Sequence, residues 1–99
     1  MLKLGELTLP NLFTICGYKI YFWSNENNEP IHVHVSKGKP TPNSTKIWLT
    51  KLGGCIVANN RSQIPTKDLN ILMEFISAQF YMICKYWKQW FNDDVRFYC

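Results

Sequence analysis

The spacing of the apolar residues changes once along this chain, and the change limits the kind of fold that the chain can adopt. In the first two thirds apolar and polar residues alternate, as in the run Ile31-His32-Val33-His34-Val35. In the last third apolar residues recur at steps of three and four, from Leu69 through Ile76 and Ile83 to Phe91. Alternation is typical of strands with one buried face, and steps of three and four are typical of an amphipathic helix. We therefore expect strands first and a helix last.

Turn-forming stretches divide the alternating part into four predicted strands. The stretch from Ser24 to Pro30 is rich in Asn, the stretch from Gly38 to Ser44 holds two prolines, and Gly53-Gly54 forms a tight turn. The strands predicted between these turns are Thr14 to Trp23, Ile31 to Val35, Lys46 to Thr50 and Cys55 to Ala58.

The length and composition indicate one domain over residues 1–99. A chain of 99 residues with 46% apolar residues can build one hydrophobic core and has no room for a second domain. The predicted fold class is α+β: an antiparallel sheet of about four strands with a long C-terminal helix packed on one face. The side chains expected to point from the sheet toward the helix are Tyr18, Ile20, Val33, Val35, Ile47 and Leu49.

The predicted helix is longer than the sheet beneath it. Thr66 is its expected N-cap, and a continuous helix to Phe91 would measure about 39 Å at ~1.5 Å per residue. Four strands make a sheet only about 20 Å wide. The helix must therefore overhang the sheet or break near Ser77-Ala78-Gln79.

An overhanging half-helix would expose an apolar surface, which usually marks a partner interface. We expect a homodimer or a small partner protein to cover it. The alternative is that residues 1–13 fold back over it. The residues of this predicted partner interface are Phe80, Tyr81, Ile83, Trp87, Trp90 and Phe91.

The two histidines fall on the face of the sheet opposite the helix, because side chains at alternate strand positions share a face. The residues expected on that face are Lys19, Tyr21, Trp23, His32, His34, Lys46 and Trp48. Aromatic and basic side chains on an open sheet are typical of surfaces that stack unpaired bases. The predicted binding face is Tyr21, Trp23, His32, His34 and Trp48, and nucleic acid is a candidate ligand. The alternative is that the Pro40 to Ser44 loop or a second subunit covers the face.

Three chemical roles are open to His32 and His34. As metal ligands they are weak candidates, because zinc would need a third protein ligand, for which the nearby residues are Glu26, Glu29 and Cys55. As an acid/base pair they could cleave RNA without a metal, with Lys19 or Lys46 to stabilise the developing charge. As structural residues they would form hydrogen bonds across strands or to a loop, which is the role that we favour. No cofactor is expected, and no residue is assigned to catalysis.

The positive charge is concentrated in the middle of the chain. The formal net charge is +4, and the segment from Lys37 to Lys67 contains six basic residues and no acidic one. Such a segment favours acidic or phosphate-rich partners, although a solvated loop face would have the same composition.

A soluble, cytoplasmic protein is expected. The N-terminal residues do not resemble a secretion signal, and charged and polar residues interrupt the apolar stretch from Leu69 to Phe91, so that no membrane contact is predicted. Four widely spaced cysteines without a Cys-x-x-Cys pair are expected to be free thiols.

Four segments in linked order resemble the DUF4160 family of small bacterial proteins of unknown function. They are Glu29 to Val35, Thr45 to Leu49, Ala58 to Pro65, and the helix with Leu69, Ile76 and Trp87. The resemblance spans about Asn11 to Asn92, and the matching motif residues are Pro30, His32, His34 and Trp87.

The resemblance carries no catalytic role, and the chain departs from the family pattern at two places. Many members have a proline where this chain has Ile31, and members are more polar at Phe80-Tyr81-Met82. Family members are often encoded beside a protein of the DUF2442 family, which implies a toxin–antitoxin-like or regulatory pair in the bacterial cytoplasm.

The expected function is a non-enzymatic interaction or regulatory module that works as a homodimer or with a partner protein. The alternative is a small RNA-binding protein or a metal-independent ribonuclease-like toxin that uses His32 and His34.

Overall fold

A computed structural model describes residues 11–23, 28–92 and 94–99 of the chain. Its elements are β1 (Asn11–Ile15), β2 (Tyr18–Tyr21), β3 (His32–Lys37), β4 (Thr45–Leu49), β5 (Cys55–Asn59), α1 (Thr66–Ala78) and α2 (Phe80–Phe91). The strands form one antiparallel sheet in the order β1-β2-β3-β4-β5, and both helices follow the sheet in sequence. The predicted α+β class is confirmed, with five strands in place of four and two helices in place of one.

The additional strand arises because the segment predicted as one strand from Thr14 to Trp23 is a hairpin. Cys16 and Gly17 join β1 to β2, and both have positive φ, at 51° and 81°. Positive φ at both central residues is the backbone of a type I′ turn, which matches the twist of an antiparallel pair. The alternation of apolar residues continues across this short turn, so the pattern alone predicted one unbroken strand.

The core lies between the sheet and the helices, as the strand pattern predicted. The register places Ile20 opposite Val35, and Val33 opposite Ile47. All six side chains predicted to point toward the helix are buried. From the helices, Leu72, Ile76 and Ile83 complete the same cluster.

The long helix breaks at Gln79, which is one of the two outcomes that its mismatch with the sheet allowed. The Gln79 backbone has φ −100° and ψ 16°, and its N–H donates to the carbonyl oxygens of Phe75 (3.0 Å) and Ile76 (3.2 Å). The N-terminal end differs from the prediction, because Thr66 is the first helical residue, Pro65 occupies the N-cap, and no side chain caps the helix.

With the helix broken, part of the predicted partner interface is buried within the single chain. Phe80, Ile83 and Trp87 are buried in the core of the single chain, so the predicted overhang is wrong for these three residues. Trp90 and Phe91 are half-buried, and only Tyr81 of the set is strongly exposed, at 85%.

The alternative cover, residues 1–13, lies mostly outside the described residues. Within the described part of it, Phe13 packs against Phe75 of α1 and Tyr86 of α2, with ring centroids 5.2 and 6.1 Å apart.

The last six residues, 94–99, form an extended segment that we call the C-terminal strap. The Ile31 N–H donates to the carbonyl oxygen of Arg96 (2.7 Å), and the Lys51 N–H donates to that of Cys99 (2.8 Å). Phe97 stacks on Phe80, on the helix side, whereas Tyr98 stacks on Trp48, on the opposite side. The strap therefore crosses the end of the sheet and contacts both of its faces. None of the helices in the described part of the chain is long and apolar enough to cross a membrane.

Candidate functional site

Strand pairing brings the predicted histidine site together on one side of the sheet. His34 lies opposite Tyr21 on β2 and opposite Lys46 on β4, and His32 lies opposite Trp48. Lys19 pairs with Ser36, one cross-strand position beyond His34. We call this surface the histidine face, and its members are Lys19, Tyr21, Trp23, His32, His34, Lys46 and Trp48.

The centre of the histidine face is buried within the single chain, so its central rings do not form the open platform that base stacking would need. His32 and Tyr21 are 0% exposed, and His34 is 6% exposed. The rings fill the space between one another: His32 and His34 meet edge to face at 5.0 Å, Tyr21 stacks on His34 at 5.8 Å, and Trp23 meets His34 at 6.0 Å. A base cannot stack on rings that are already covered in this way.

His32 is enclosed by aromatic rings from distant parts of the chain. Its ring lies 5.4 Å from the Trp48 ring and 5.5 Å from the ring of Trp87 of α2. Its Nδ1 lies 2.9 Å from the Pro30 carbonyl oxygen. A carbonyl oxygen only accepts hydrogen bonds, so this contact places a proton on Nδ1 and fixes the orientation of the ring.

The other polar groups of the face are held by neighbours that strand alternation places beside them. His34 Nδ1 lies 2.9 Å from the Ser44 hydroxyl oxygen, and the Tyr21 hydroxyl lies 2.8 Å from that of Ser36. No buried side-chain nitrogen or oxygen among the described residues lacks a hydrogen-bond partner. A fully satisfied buried network of this kind rigidifies a core.

Lys46, one of the two lysines that were candidates to assist the histidines in catalysis, is engaged by other groups. Lys46 Nζ donates to Glu29 Oε1 at 2.6 Å and lies 4.2 Å from the centroid of the Trp48 ring. The Tyr98 ring also stacks on that of Trp48, with the two rings parallel and their centroids 4.9 Å apart. These contacts form a partly exposed rim around the buried histidines.

The proposed third metal ligands do not join the histidines. Glu29 is bound by Lys46, and Cys55 is paired with Leu49 on the helix side, where its Sγ contacts the Met73 carbonyl oxygen at 3.5 Å. Glu26 lies outside the described residues. Within residues 11–23, 28–92 and 94–99, no three His, Cys, Asp or Glu side chains are grouped to hold a metal ion.

Four residues of this site were not predicted from the sequence, although two of them could have been. Ser36 and Ser44 occupy the same face as the histidines by simple alternation along β3 and β4. Trp87 was marked only by the family resemblance, which linked it to the two histidines without placing it beside them. Tyr98 had no comparable signal, because a terminal segment brings it to the sheet only in the folded chain.

Comparison with known proteins identifies a family but no function. No curated protein matches the chain, and no solved structure matches it. The family model described as "Domain of unknown function (DUF4160)" matches residues 17–88, which include β2 to β5, α1 and most of α2. This chain is therefore a member of the DUF4160 family.

Proposed function

We propose that this protein is a non-enzymatic interaction module that works as a homodimer through the outer edge of β5. The observation that carries this proposal is the character of that edge. β5 (Cys55–Asn59) is the last strand of the sheet, no described residue pairs with its outer side, and it contains no charged residue. Exposed strand edges normally carry charges or prolines that prevent pairing with another chain. β5 carries neither, so its unpaired backbone groups favour a further strand.

The direction of the backbone groups supports this use of the edge. The Leu49 N–H donates to the Ile31 carbonyl oxygen, toward β3. Cys55, which lies opposite Leu49, therefore directs its N–H and C=O away from β4, and Val57 does the same two positions later. A strand added here would find donors and acceptors at the right spacing.

An apolar surface continues from the edge onto the histidine face. Ile56 is 41% exposed and lies opposite Trp48, which is stacked on the 59% exposed Tyr98. Aromatic side chains of this kind are enriched in protein interfaces.

Charge complementarity favours a second copy of this chain as the occupant. In an antiparallel pair of β5 strands centred on Val57, Arg61 of one copy would lie opposite Gly53 of the other. A groove between β5 and α1 begins beside that position and is lined by Gly54, Cys55, Asn70, Met73, Glu74 and Ser77. Arg61 would therefore approach Glu74, and twofold symmetry repeats this contact.

The burial of the histidines supports a structural role for them over an enzymatic one. A general acid or base must come within hydrogen-bond distance of its substrate. RNA would reach His32 only after the rings of Trp48 and Trp87 had moved apart. The ribonuclease-like alternative therefore has less support than the interaction module.

The setting that we propose is the bacterial cytoplasm, where the four free cysteines would remain thiols. A regulatory or toxin–antitoxin-like role fits this proposal, since a partner protein can add a strand to the same edge.

The test is the mass of the protein in solution, measured by size-exclusion chromatography with light scattering. The wild type is expected to have twice the 11.7 kDa of one chain. Val57→Pro removes the outward N–H and is expected to give a monomer, whereas the control Val57→Thr keeps the N–H and is expected to remain a dimer. Circular dichroism checks that the three proteins have the same fold.

A charge exchange tests the orientation of the two copies. Arg61→Glu is expected to weaken the dimer by roughly fivefold to tenfold, and Arg61→Glu with Glu74→Arg is expected to restore it. A wild type that remains monomeric at millimolar concentration would contradict the homodimer. If a purified partner protein then bound the wild type but not Val57→Pro, the β5 edge would be assigned to that partner.

A further inference from the structure

We propose that a cleft at one end of the sheet binds a small phosphorylated polyhydroxy compound, such as a sugar phosphate. The cleft has a volume of about 340 Å³ and lies between the loop that joins β3 to β4 and the loop that joins β5 to α1. This volume is in the range of small-molecule sites. The polar side chains that line it and carry the proposal are those of Lys37, Lys39, Thr41, Ser62, Gln63 and Asp68.

The lysines of the cleft favour an anionic group. Lys37 lies over the Tyr18 ring, with Nζ 5.4 Å from the ring centroid. Among the described residues, no carboxylate lies within 4.0 Å of the ammonium group of Lys37 or Lys39. Two lysines that no described carboxylate neutralises attract a phosphate as point charges.

Asp68, the one carboxylate among the described residues that line the cleft, is already engaged. Asp68 accepts a hydrogen bond of 2.8 Å from the Tyr18 hydroxyl through Oδ2. It opposes an anion placed close to it, so the phosphate belongs beside the lysines and away from this carboxylate. A carboxylate accepts hydrogen bonds, so Asp68 suits the hydroxyl groups of a sugar.

The wall of the cleft that carries Ser62 and Gln63 is rigid. The Asn60 side chain donates to the Ile64 carbonyl oxygen (2.9 Å) and accepts from the Ile64 N–H (3.0 Å). The Thr45 hydroxyl donates to Asn60 Oδ1 at 2.7 Å and lies 2.6 Å from the Ser62 hydroxyl. This clamp fixes both ends of the short loop, so its donors are in place before a ligand arrives.

Gln63 adds an independent indication. Its φ is 57°, in the left-handed region, where a residue with a side chain is strained. Strained residues of this kind concentrate at ligand sites. The Gln63 side-chain amide and the Thr41 hydroxyl supply neutral donors for phosphate oxygens beside the two lysines, whereas the Ser62 hydroxyl donates to Thr45.

The experiment is a titration of the ¹⁵N-labelled full chain, followed by amide chemical shifts. The probes are ribose 5-phosphate, inorganic phosphate, ribose, and a tetranucleotide RNA with a 5′-phosphate. With ribose 5-phosphate, saturable shifts are expected at the amides of residues 37–39, 41 and 60–64. Inorganic phosphate is expected to bind at least fivefold more weakly, and ribose is expected to give no saturation. Tight binding of the RNA alone would overturn the assignment to a small molecule.

Two double variants separate a built site from general electrostatic attraction. Lys37→Gln with Lys39→Gln is expected to weaken binding at least tenfold. Lys51→Gln with Lys85→Gln removes the same charge from exposed positions outside the cleft and is expected to leave binding unchanged. Equal weakening by both, or shifts spread over all lysines without saturation, would overturn the proposal. The inference does not rest on the dimer, so the Val57→Pro monomer is expected to bind equally well.

Discussion

At the scale of single residues, His32 is packed as a core residue, although its spacing from His34 resembles that of a reactive histidine pair. Trp48 and Trp87 pack against its ring, and the Pro30 carbonyl oxygen accepts a hydrogen bond from its Nδ1–H. Alternation along β3 predicted which residues share its face. Alternation alone did not determine the burial of His32, because that burial depends on Trp87, which approaches from a distant part of the chain.

Replacement of His32 by alanine is expected to lower the free energy of unfolding by about 2–4 kcal/mol. The substitution removes a fully buried ring and leaves a cavity between two tryptophans. Urea denaturation followed by tryptophan fluorescence measures the change. Lys46→Gln is the matched control from the rim, where the ion pair with Glu29 is partly exposed and a loss below ~1 kcal/mol is expected. Equal losses for the two variants would contradict the structural role of His32.

Tyr18 is expected to make the protein less stable in alkali. Burial of its hydroxyl, and then the hydrogen bond and the charge of Asp68, raise the pKa of Tyr18 above its usual value near 10. Above about pH 10 the unfolded chain therefore loses this proton more readily than the folded chain does, so the free energy of unfolding falls as the pH rises toward the folded-state pKa.

Tyr18→Phe removes this pH dependence. At pH 7 the variant is expected to be less stable by about 1 kcal/mol, because Asp68 loses a hydrogen bond. Between pH 9 and pH 11 its stability is expected to fall less steeply than that of the wild type in urea titrations. Parallel slopes for the two proteins would contradict the assignment.

At the scale of elements, the turns and the helix break show where a sequence pattern is informative. Comparing the length of the helix with the width of the sheet predicted either an overhang or a break, and the structure has the break, at Gln79. No comparable signal predicted the turn at Cys16-Gly17, because a two-residue turn leaves the alternation of apolar residues intact. Gly17 was the available signal, and the residue before it was not the asparagine that usually accompanies such a turn.

Cys16→Asn is expected to raise the free energy of unfolding by about 0.5–1 kcal/mol. Asparagine tolerates positive φ better than cysteine does, and Asn-Gly is the preferred pair in a type I′ turn. Thermal unfolding measures the gain. Cys16→Val is the opposite control, because a β-branched side chain disfavours positive φ, and it is expected to destabilise the protein.

At the scale of the whole molecule, two surfaces on one compact sheet are proposed to bind different things, the β5 edge a second copy and the cleft a phosphorylated compound. The family resemblance pointed to neither surface. Both arise from loops and edges whose positions depend on the complete fold.

The four thiols are expected to divide into two classes under alkylation with iodoacetamide. Cys16 and Cys99 are exposed, whereas burial raises the pKa of Cys55 and Cys84 and so reduces their thiolate fraction near pH 8. Mass spectrometry of peptides is expected to show Cys16 and Cys99 modified first, and all four modified at similar rates in 8 M urea. Fast modification of Cys55 in the folded protein would contradict the packing of β5 against α1.

The C-terminal strap has a consequence for the order in which the chain folds. It binds Ile31 and Lys51 across a large separation in sequence, and it packs on Phe80 only after α2 has returned to the sheet. Such long-range contacts are the slowest to form, since a large loop must close first. The strap is therefore expected to dock last and detach first, so that the amides of Ile31 and Lys51 exchange with solvent deuterium through one shared opening, before the remainder of the sheet.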